Sequence, residues 1–347
     1  MTLPRRSQMK CRAALGSALA VLAFLSAACG SSESEEASVT QDGLTEITIA
    51  APPGGVMPVD FRAGLAEGIF EKHGLKITVQ DVATGPDAVA AAAQGGADLA
   101  FSDTFAAAGA ISNGFDVAMV TPLCGLSSLN YFLVPADSGI KELADLRGKN
   151  IGIGAPPLFQ TAAASRLDQA GIGIDDVQFT LVKDQTTFGA ILKSGQVDAV
   201  NVTSSINANR WIAEYGFEVV GPYDLGDDAF GTQVAAAGWW ATRDWYDGNE
   251  AVASTFTRAN AEVAQWFADL PEEERAAYIK DQTTADLVAL DKEIPGLLEL
   301  VVNHPLTPVT GAVDTDALEE WITTGAKFAK VPSVSLDTLL FPSATEE

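Results

Sequence analysis

The sequence predicts an α/β protein of two similar lobes, each a mostly parallel sheet clad by helices. Three observations carry this. From Leu44 onward, short apolar segments alternate with amphipathic or alanine-rich ones, the rhythm of a parallel sheet with helices on both faces. The run Gln94-Gly95-Gly96-Ala97-Asp98-Leu99-Ala100 has an echo in Ser194-Gly195-Gln196-Val197-Asp198-Ala199-Val200. A helix, a glycine and an aromatic-acid-valine strand follow each copy, at Phe115-Asp116-Val117 and Phe217-Glu218-Val219. Beyond Thr232 the chain changes character and becomes mainly helical, so the two lobes precede a helical return.

In order, the first lobe reads as strand Glu46–Ala50, helix Phe61–His73 stopped by Gly74, strand Lys76–Val82 and helix Pro86–Gln94. Strand Asp98–Phe101, helix Thr104–Ser112 and strand Val117–Pro122 complete it. Glycine past a helix end supplies the positive φ that stops it. The second lobe reads as strand Tyr131–Val134, helix Ile140–Leu146, strand Asn150–Gly154, helix Gln160–Ala170 and strand Val177–Val182. Helix Thr186–Ser194, strand Asp198–Val202, helix Asn207–Tyr215 and strand Phe217–Val220 follow. A strand at Gln233–Thr242 then leads into helices at Glu250–Asp269, Glu272–Gln282, Thr284–Leu290, Gly296–Val302 and Thr315–Lys327.

The N-terminus reads as an export signal. Arg5, Arg6, Lys10 and Arg12 precede an uncharged apolar run from Ala13 to Leu25, then Ser26, Ala27, Ala28 and Cys29. Basic, apolar, small and cysteine in that order is a lipoprotein signal peptide, and the run is shorter than the ~20 residues a membrane span needs. The expected organisation is signal 1–28, flexible tether 29–44 rich in Ser and Glu, first lobe 45–125 and second lobe 126–230. A return to the first lobe over 231–342 and a tail 343–347 complete it. Cys29 is the expected lipidation site, which puts the protein outside the cytoplasmic membrane, held there through lipid alone.

Losing the four basic residues of the signal takes the net charge from −25 to −29. A surface this acidic, without a Lys/Arg block, excludes nucleic acid and anionic headgroups as partners. With Cys11 inside the signal and Cys29 taken up by lipid, Cys124 is left alone, so neither an internal disulfide nor a cysteine metal site is expected. With only His73 and His304, and no His-Glu-x-x-His, Gly-x-Ser-x-Gly or P-loop pattern, hydrolytic catalysis lacks its base. No cofactor or metal is expected. Asp175-Asp176 and Asp227-Asp228 read as solvated turn residues.

Three segments carry a family resemblance. Ala66-Glu67-Gly68-Ile69-Phe70-Glu71-Lys72-His73-Gly74-Leu75-Lys76-Ile77 resembles the first-helix signature of SsuA/THI5-like (NMT1-like) solute-binding proteins. Asp145-Leu146-Arg147-Gly148-Lys149-Asn150-Ile151-Gly152-Ile153 is similar to that family's strand-opening motif, and Leu192-Lys193-Ser194-Gly195-Gln196-Val197-Asp198-Ala199 to its later helix-to-strand junction. The resemblance implies the periplasmic binding protein type II fold: two Rossmann-like lobes joined by crossovers near Pro122–Tyr131 and Pro222–Gln233. It also implies an extracytoplasmic, monomeric ABC-importer component that hands a small molecule to a permease and its ATPase. The alternatives it leaves open are a THI5-like enzyme of pyrimidine metabolism and a signalling binding protein.

In open α/β sheets ligands bind beyond the C-terminal ends of the strands. That places the candidate site in Pro53 and Gly54, Thr84 and Gly85, Ser102, Asp103 and Thr104, Phe159, Gln160 and Thr161, and Asn201 and Thr203. Helix N-termini there offer free N–H groups to an anionic ligand. The Ser and Thr hydroxyls serve either as ligand donors or as helix caps. Asp103 either caps a helix or holds an amine, and Phe159 is either core or an apolar wall. No Arg or Lys falls inside these loops, which argues against a ligand clamped by a bidentate Arg; Arg62, Lys183 and Arg210 lie near them in sequence. Trp239 and Trp240, adjacent on a strand, face opposite sides and read as core. The ligand expected is a small organic anion or zwitterion, such as a sulfonate, an aromatic carboxylate or a pyrimidine.

Overall fold

The computed structural model describes residues 37–52, 58–123, 131–202, 205–221, 234–283, 291–292, 295 and 313–344. The described strands are β1 (Thr45–Ala51), β2 (Leu75–Asp81), β3 (Leu99–Asp103), β4 (Val117–Leu123), β5 (Tyr131–Pro135), β6 (Asn150–Gly154), β7 (Gln178–Val182), β8 (Ala199–Val202), β9 (Phe217–Val220) and β10 (Ala237–Thr242). They form two five-stranded sheets, ordered β2-β1-β3-β10-β4 and β7-β6-β8-β5-β9.

The two sheets have one plan. In the first, β10 runs antiparallel to β3 and β4, while β1 pairs in parallel with β2 and β3. In the second, β5 runs antiparallel to β8 and β9, while β6 pairs in parallel with β7 and β8. The antiparallel strand is in both cases the one laid down just after the chain crosses over, β5 on entering the second sheet and β10 on returning to the first. The crossover segments themselves lie almost wholly outside the described residues.

The helices are α1 (Val59–Ala66), α2 (Ile69–Lys72), α3 (Gly85–Ala93), α4 (Thr104–Ser112), α5 (Pro157–Gln169), α6 (Phe188–Lys193), α7 (Ser205–Tyr215), α8 (Arg243–Asp269), α9 (Glu272–Thr283), α10 (Thr315–Ala329) and α11 (Leu336–Leu339). They cover both faces of each sheet. On one face of the first sheet Ile47, Ile49, Phe101 and Trp239 pack with Phe61, Phe70 and Phe256; on the other Ala50, Ala100 and Trp240 pack with Val89, Phe105 and Trp321. Trp239 and Trp240 are fully buried on opposite faces, as strand alternation requires. The C-terminal segment returns to this sheet, where Leu340 bridges to Met119 of β4.

Several boundaries differ from the sequence reading. The helix expected over Phe61–His73 is two helices, because Gly68 takes a φ of +66° between them. Ile140–Leu146 narrows to a single 3-10 turn at Leu143–Leu146, where the Asp145 carboxylate accepts from Lys141 and Glu142 N–H at 2.9 and 3.2 Å. The strand expected from Gln233 begins only at Ala237. α8 starts at Arg243, ahead of the expected Glu250, with its kink at Asn249. The buried Asn249 amide donates to the Trp245 carbonyl at 2.9 Å and accepts from Ala37 N–H at 2.8 Å. His73 Nε2 lies 2.8 Å from Glu262 on α8. The helices expected at Thr284–Leu290 and Gly296–Val302, with Cys124, His304 and Asp227-Asp228, lie outside the described residues.

Candidate functional site

Two short runs at the C-terminal end of the first sheet meet face to face. Thr84 caps α3: its hydroxyl accepts from Asp87 N–H at 3.3 Å and donates to the Asp87 carboxylate at 2.6 Å. Gly85 follows, and a Cβ there would lie 2.6 Å from Ser102 Oγ and 3.7 Å from Asp103 Oδ2. Only glycine leaves the Ser102 hydroxyl this much room beside the start of α3. Ser102 is 1% exposed, and its hydroxyl has no hydrogen-bond partner among the described residues.

Asp103 caps α4, its Oδ1 accepting from Phe105 and Ala106 N–H at 3.0 Å each. Burial nonetheless raises its pKa, against the pull of those donors. Oδ2, the oxygen that caps nothing, is the one near Gly85. Thr104 ties the site to the returning chain, its hydroxyl donating to the Ala235 carbonyl and its N–H to that of Ala236.

The second sheet contributes α5 and Asn201. α5 begins just beyond β6, and Phe159 folds back so that a Cβ on Gly154 would lie 2.6 Å from its ring and 2.9 Å from Gln185 Nε2. Gln160 donates to the Ala155 carbonyl at 2.7 Å, closing the loop that precedes the helix. Every residue from Thr161 to Leu167 is buried, because α5 has partners on two sides. Ala163 and Leu167 pack into the core of the second sheet, whereas Ala162, with Leu158 beside it, joins the first sheet's cluster around Phe105 and Trp321. Asp168 near the end of α5 also pairs with Lys327 of α10 at 3.5 Å. Thr161 is fully buried and, like Ser102, its hydroxyl has no hydrogen-bond partner among the described residues. Asn201, 2% exposed, donates to the Tyr131 carbonyl at 3.3 Å.

The structure therefore brings Thr84, Gly85, Ser102, Asp103 and Thr104 together on the first sheet, and sets Phe159, Gln160 and Thr161 on a helix that touches that sheet's core. Thr84, Thr104 and Gln160 are engaged within the fold. Pro53, Gly54, Thr203 and Cys29 lie outside the described residues. Lys183 and Arg210 are exposed. Arg62 is half-buried on α1, among the elements that cover the other face of the first sheet.

Two charged residues escaped the sequence reading. Asp60 in the first turn of α1 is 6% exposed, and burial pushes its carboxyl up to about 7 against the donation of two backbone N–H groups. Its signal is an acid inside the otherwise apolar run Val59-Asp60-Phe61. Arg166 on α5 is 9% exposed, and its only signal is a helical spacing shared with Phe159 and Ala162. Among the described residues no helix is long and apolar enough to cross a membrane, and no cluster of His, Cys, Asp or Glu could hold a metal ion.

The sequence profile of the family described as NMT1/THI5 like matches residues 61–274, well over half of the chain. The chain belongs to the NMT1/THI5-like family. Among curated relatives, a "Putative binding protein" of Brucella abortus (strain 2308) is 29% identical over 136 residues, 39% of this chain and 41% of the relative. The match thus spans about two fifths of the relative's length. Among solved structures, the periplasmic aliphatic sulphonate binding protein SsuA from Escherichia coli aligns with a TM-score of 0.65 at 20% identity, covering 87% of this chain and 94% of that one. The alkanesulfonate-binding protein SsuA from Xanthomonas axonopodis pv. citri, bound to MOPS, gives 0.57 at 17% identity over 86% and 97%. The desulfurization enzyme DSZB gives 0.55 at 17% identity over 86% and 96%. At these identities the likeness is one of fold, and the fold is that of the SsuA periplasmic binding proteins.

Proposed function

We propose that this NMT1/THI5-like protein is the extracytoplasmic solute-binding component of an ABC importer, capturing a small organic anion or zwitterion between its two lobes. The observation that carries the reading is the pair of buried hydroxyls, Ser102 beside the start of α3 and Thr161 within the first two turns of α5, both without a partner among the described residues. A buried hydroxyl left unpaired costs free energy, and a ligand oxygen seated at these two helix starts would satisfy both. The half-buried ring of Phe159 then supplies an apolar wall, and the Oδ2 of Asp103 an acceptor for an N–H group.

The mechanism is a shift of population. A ligand that touches both lobes favours the arrangement in which they approach, and the permease reads that arrangement. Lobes at 45–125 with 231–342 and at 126–230, hinged at the two crossovers, are part of this proposal. So are the lipid on Cys29, the tether to residue 44 and a monomeric state. Sulphonate-binding proteins and a desulfurization enzyme share the fold, so the decisive experiment must separate capture from turnover.

That experiment is a thermal-shift screen of the purified chain against alkanesulfonates, taurine, aromatic carboxylates and aminopyrimidines, followed by native mass spectrometry of any compound that stabilises. A ligand at a hundredfold excess over Kd adds about 2.7 kcal/mol. One equivalent of unaltered ligand supports capture. Conversion of the ligand replaces this reading with an enzyme on the same fold, and no stabilisation by any compound in the panel overturns it.

A further inference from the structure

Arg166 points to how the ligand's charge is read. It lies on α5 between Ala162, which joins the first sheet's cluster, and Ala163, which packs into the second sheet's core. Side chains on a helix lean toward its N-terminus, and the N-terminus of α5 lies at the edge where β6 ends. A Cβ on Gly221 would lie 3.8 Å from Arg166 Nη2 and 3.9 Å from its Nε. Gly221 directly follows β9, which runs in the same direction as β6 and β8, so it stands at the same end of the sheet. Asn201, Phe132 and Val220 share one row, which sets the strand of Gly221 about 10 Å, two strand spacings, from that of Asn201.

The two edges of the guanidinium are in different states. Nη1 donates to Gln169 Oε1 at 3.1 Å. Nε is buried and has no acceptor among the described residues, and no carboxylate there pairs with the side chain. Desolvation accordingly pulls its pKa below the ordinary arginine value. The Nε/Nη2 side faces Gly221, which has a φ of +95° and where a Cβ would also lie 3.4 Å from Leu143 Cδ2. A buried cation without a counter-charge is strongly unfavourable, and an open, pre-oriented fork is what bidentate recognition of an oxyanion needs.

We propose that Arg166 is the anion-recognising residue of the ligand site, its Nε/Nη2 edge taking two oxygens of a carboxylate or sulfonate while Gln169 holds the other edge in register. This rests on the reading of the protein as a small-molecule binder. The competing occupant is a carboxylate of the chain itself, since Asp224, Asp227 and Asp228 follow Gly221 in sequence.

The test uses the full chain with 1-butanesulfonate and benzoate as probes, and butanesulfonamide and benzamide as their uncharged counterparts. Calorimetry should show an anion binding more tightly than its counterpart. Arg166→Gln should weaken the anion by about tenfold to a hundredfold, the range for a hydrogen bond to a charged group, and leave the uncharged compound unchanged, with Arg166→Lys between. In the wild type, the 15N-labelled Arg166 Nε–H resonance should move as the anion is added, a readout independent of whether the variants fold. Undiminished anion binding in a folded Arg166→Gln overturns the proposal, as does a resonance that stays fixed because an internal carboxylate already occupies the fork. If neither anion binds but another panel compound does, the proposal falls while the binding reading stands. If nothing binds, both fall.

Discussion

Asp98 and Asp198 make the same hydrogen bond in the two halves of the molecule. Asp98 Oδ2 accepts from Thr48 N–H at 2.7 Å, and Asp198 Oδ2 accepts from Asn150 N–H at 2.8 Å. The backbone N–H of each donates to the carbonyl of the same partner at 2.8 Å. Upstream, Gly95 and Gly195 both take a φ of +73°, ending the preceding helix in the same way. Each half thus aligns its third parallel strand on its first with one aspartate clamp, and that alignment fixes where the loops after β3 and β8 emerge.

The clamps differ in load. Asp98 Oδ1 also accepts from the Trp245 indole at 2.9 Å, tying α8 to the first sheet. Asp98→Ala is therefore expected to cost about 2–4 kcal/mol, by losing two charge-assisted bonds and leaving an indole N–H unpaired, and Asp198→Ala about 1–2 kcal/mol. Urea denaturation of the two variants checks the ordering. Equal costs would mean that the indole bond contributes nothing.

Gly85→Ala should weaken the protein because the new Cβ would fall 2.6 Å from Ser102 Oγ. The clash is with one hydroxyl, so Ser102→Ala in the same chain should restore most of the loss. A double-mutant cycle should give a favourable coupling of about 1 kcal/mol or more. Additive effects would place the strain in the backbone of α3 instead.

The amount legible in the sequence follows from what each residue's neighbours are. The strands were readable because β-branched and apolar runs are bounded by glycine and turn residues, and the equivalence of the halves because the clamp aspartate and its glycine are encoded locally. The helix boundaries were less so. The kink of α8 depends on Asn249 meeting Ala37, far away in the chain, and no local pattern announces that. Thr84 and Asp103 were read correctly as residues with a capping alternative, since a cap is a short-range property. Arg166 was missed for the opposite reason: its guanidinium meets Gly221, far along the chain, and a survey of loops overlooks a helix-interior residue.

Ser102→Ala and Thr161→Val separate a ligand role from a structural one. Each removes a buried hydroxyl that has no partner among the described residues, so stability without ligand should hold or rise by up to about 1 kcal/mol. Ligand-induced stabilisation should fall by a similar amount in each variant. Thermal shifts with and without the stabilising compound measure both. A large loss of stability without ligand would show that the hydroxyl is needed by the fold.

Asp60 gives the protein a pH dependence whose sign is fixed by its environment. Burial raises its carboxyl from 3.8 to about 7. Between those values the native state keeps a proton that the unfolded chain has released, so stability falls as pH rises through this window and levels off above about 7. Asp60→Asn preserves the size of the side chain and removes the titration. Relative to wild type it should gain stability as pH climbs from 4.5 to 8, by an amount on the order of 1–4 kcal/mol. Urea denaturation at pH 4.5, 6 and 8 gives the difference directly. A difference constant across those pH values would mean that the carboxyl ionises normally, and that water or an internal donor reaches it where α1 begins.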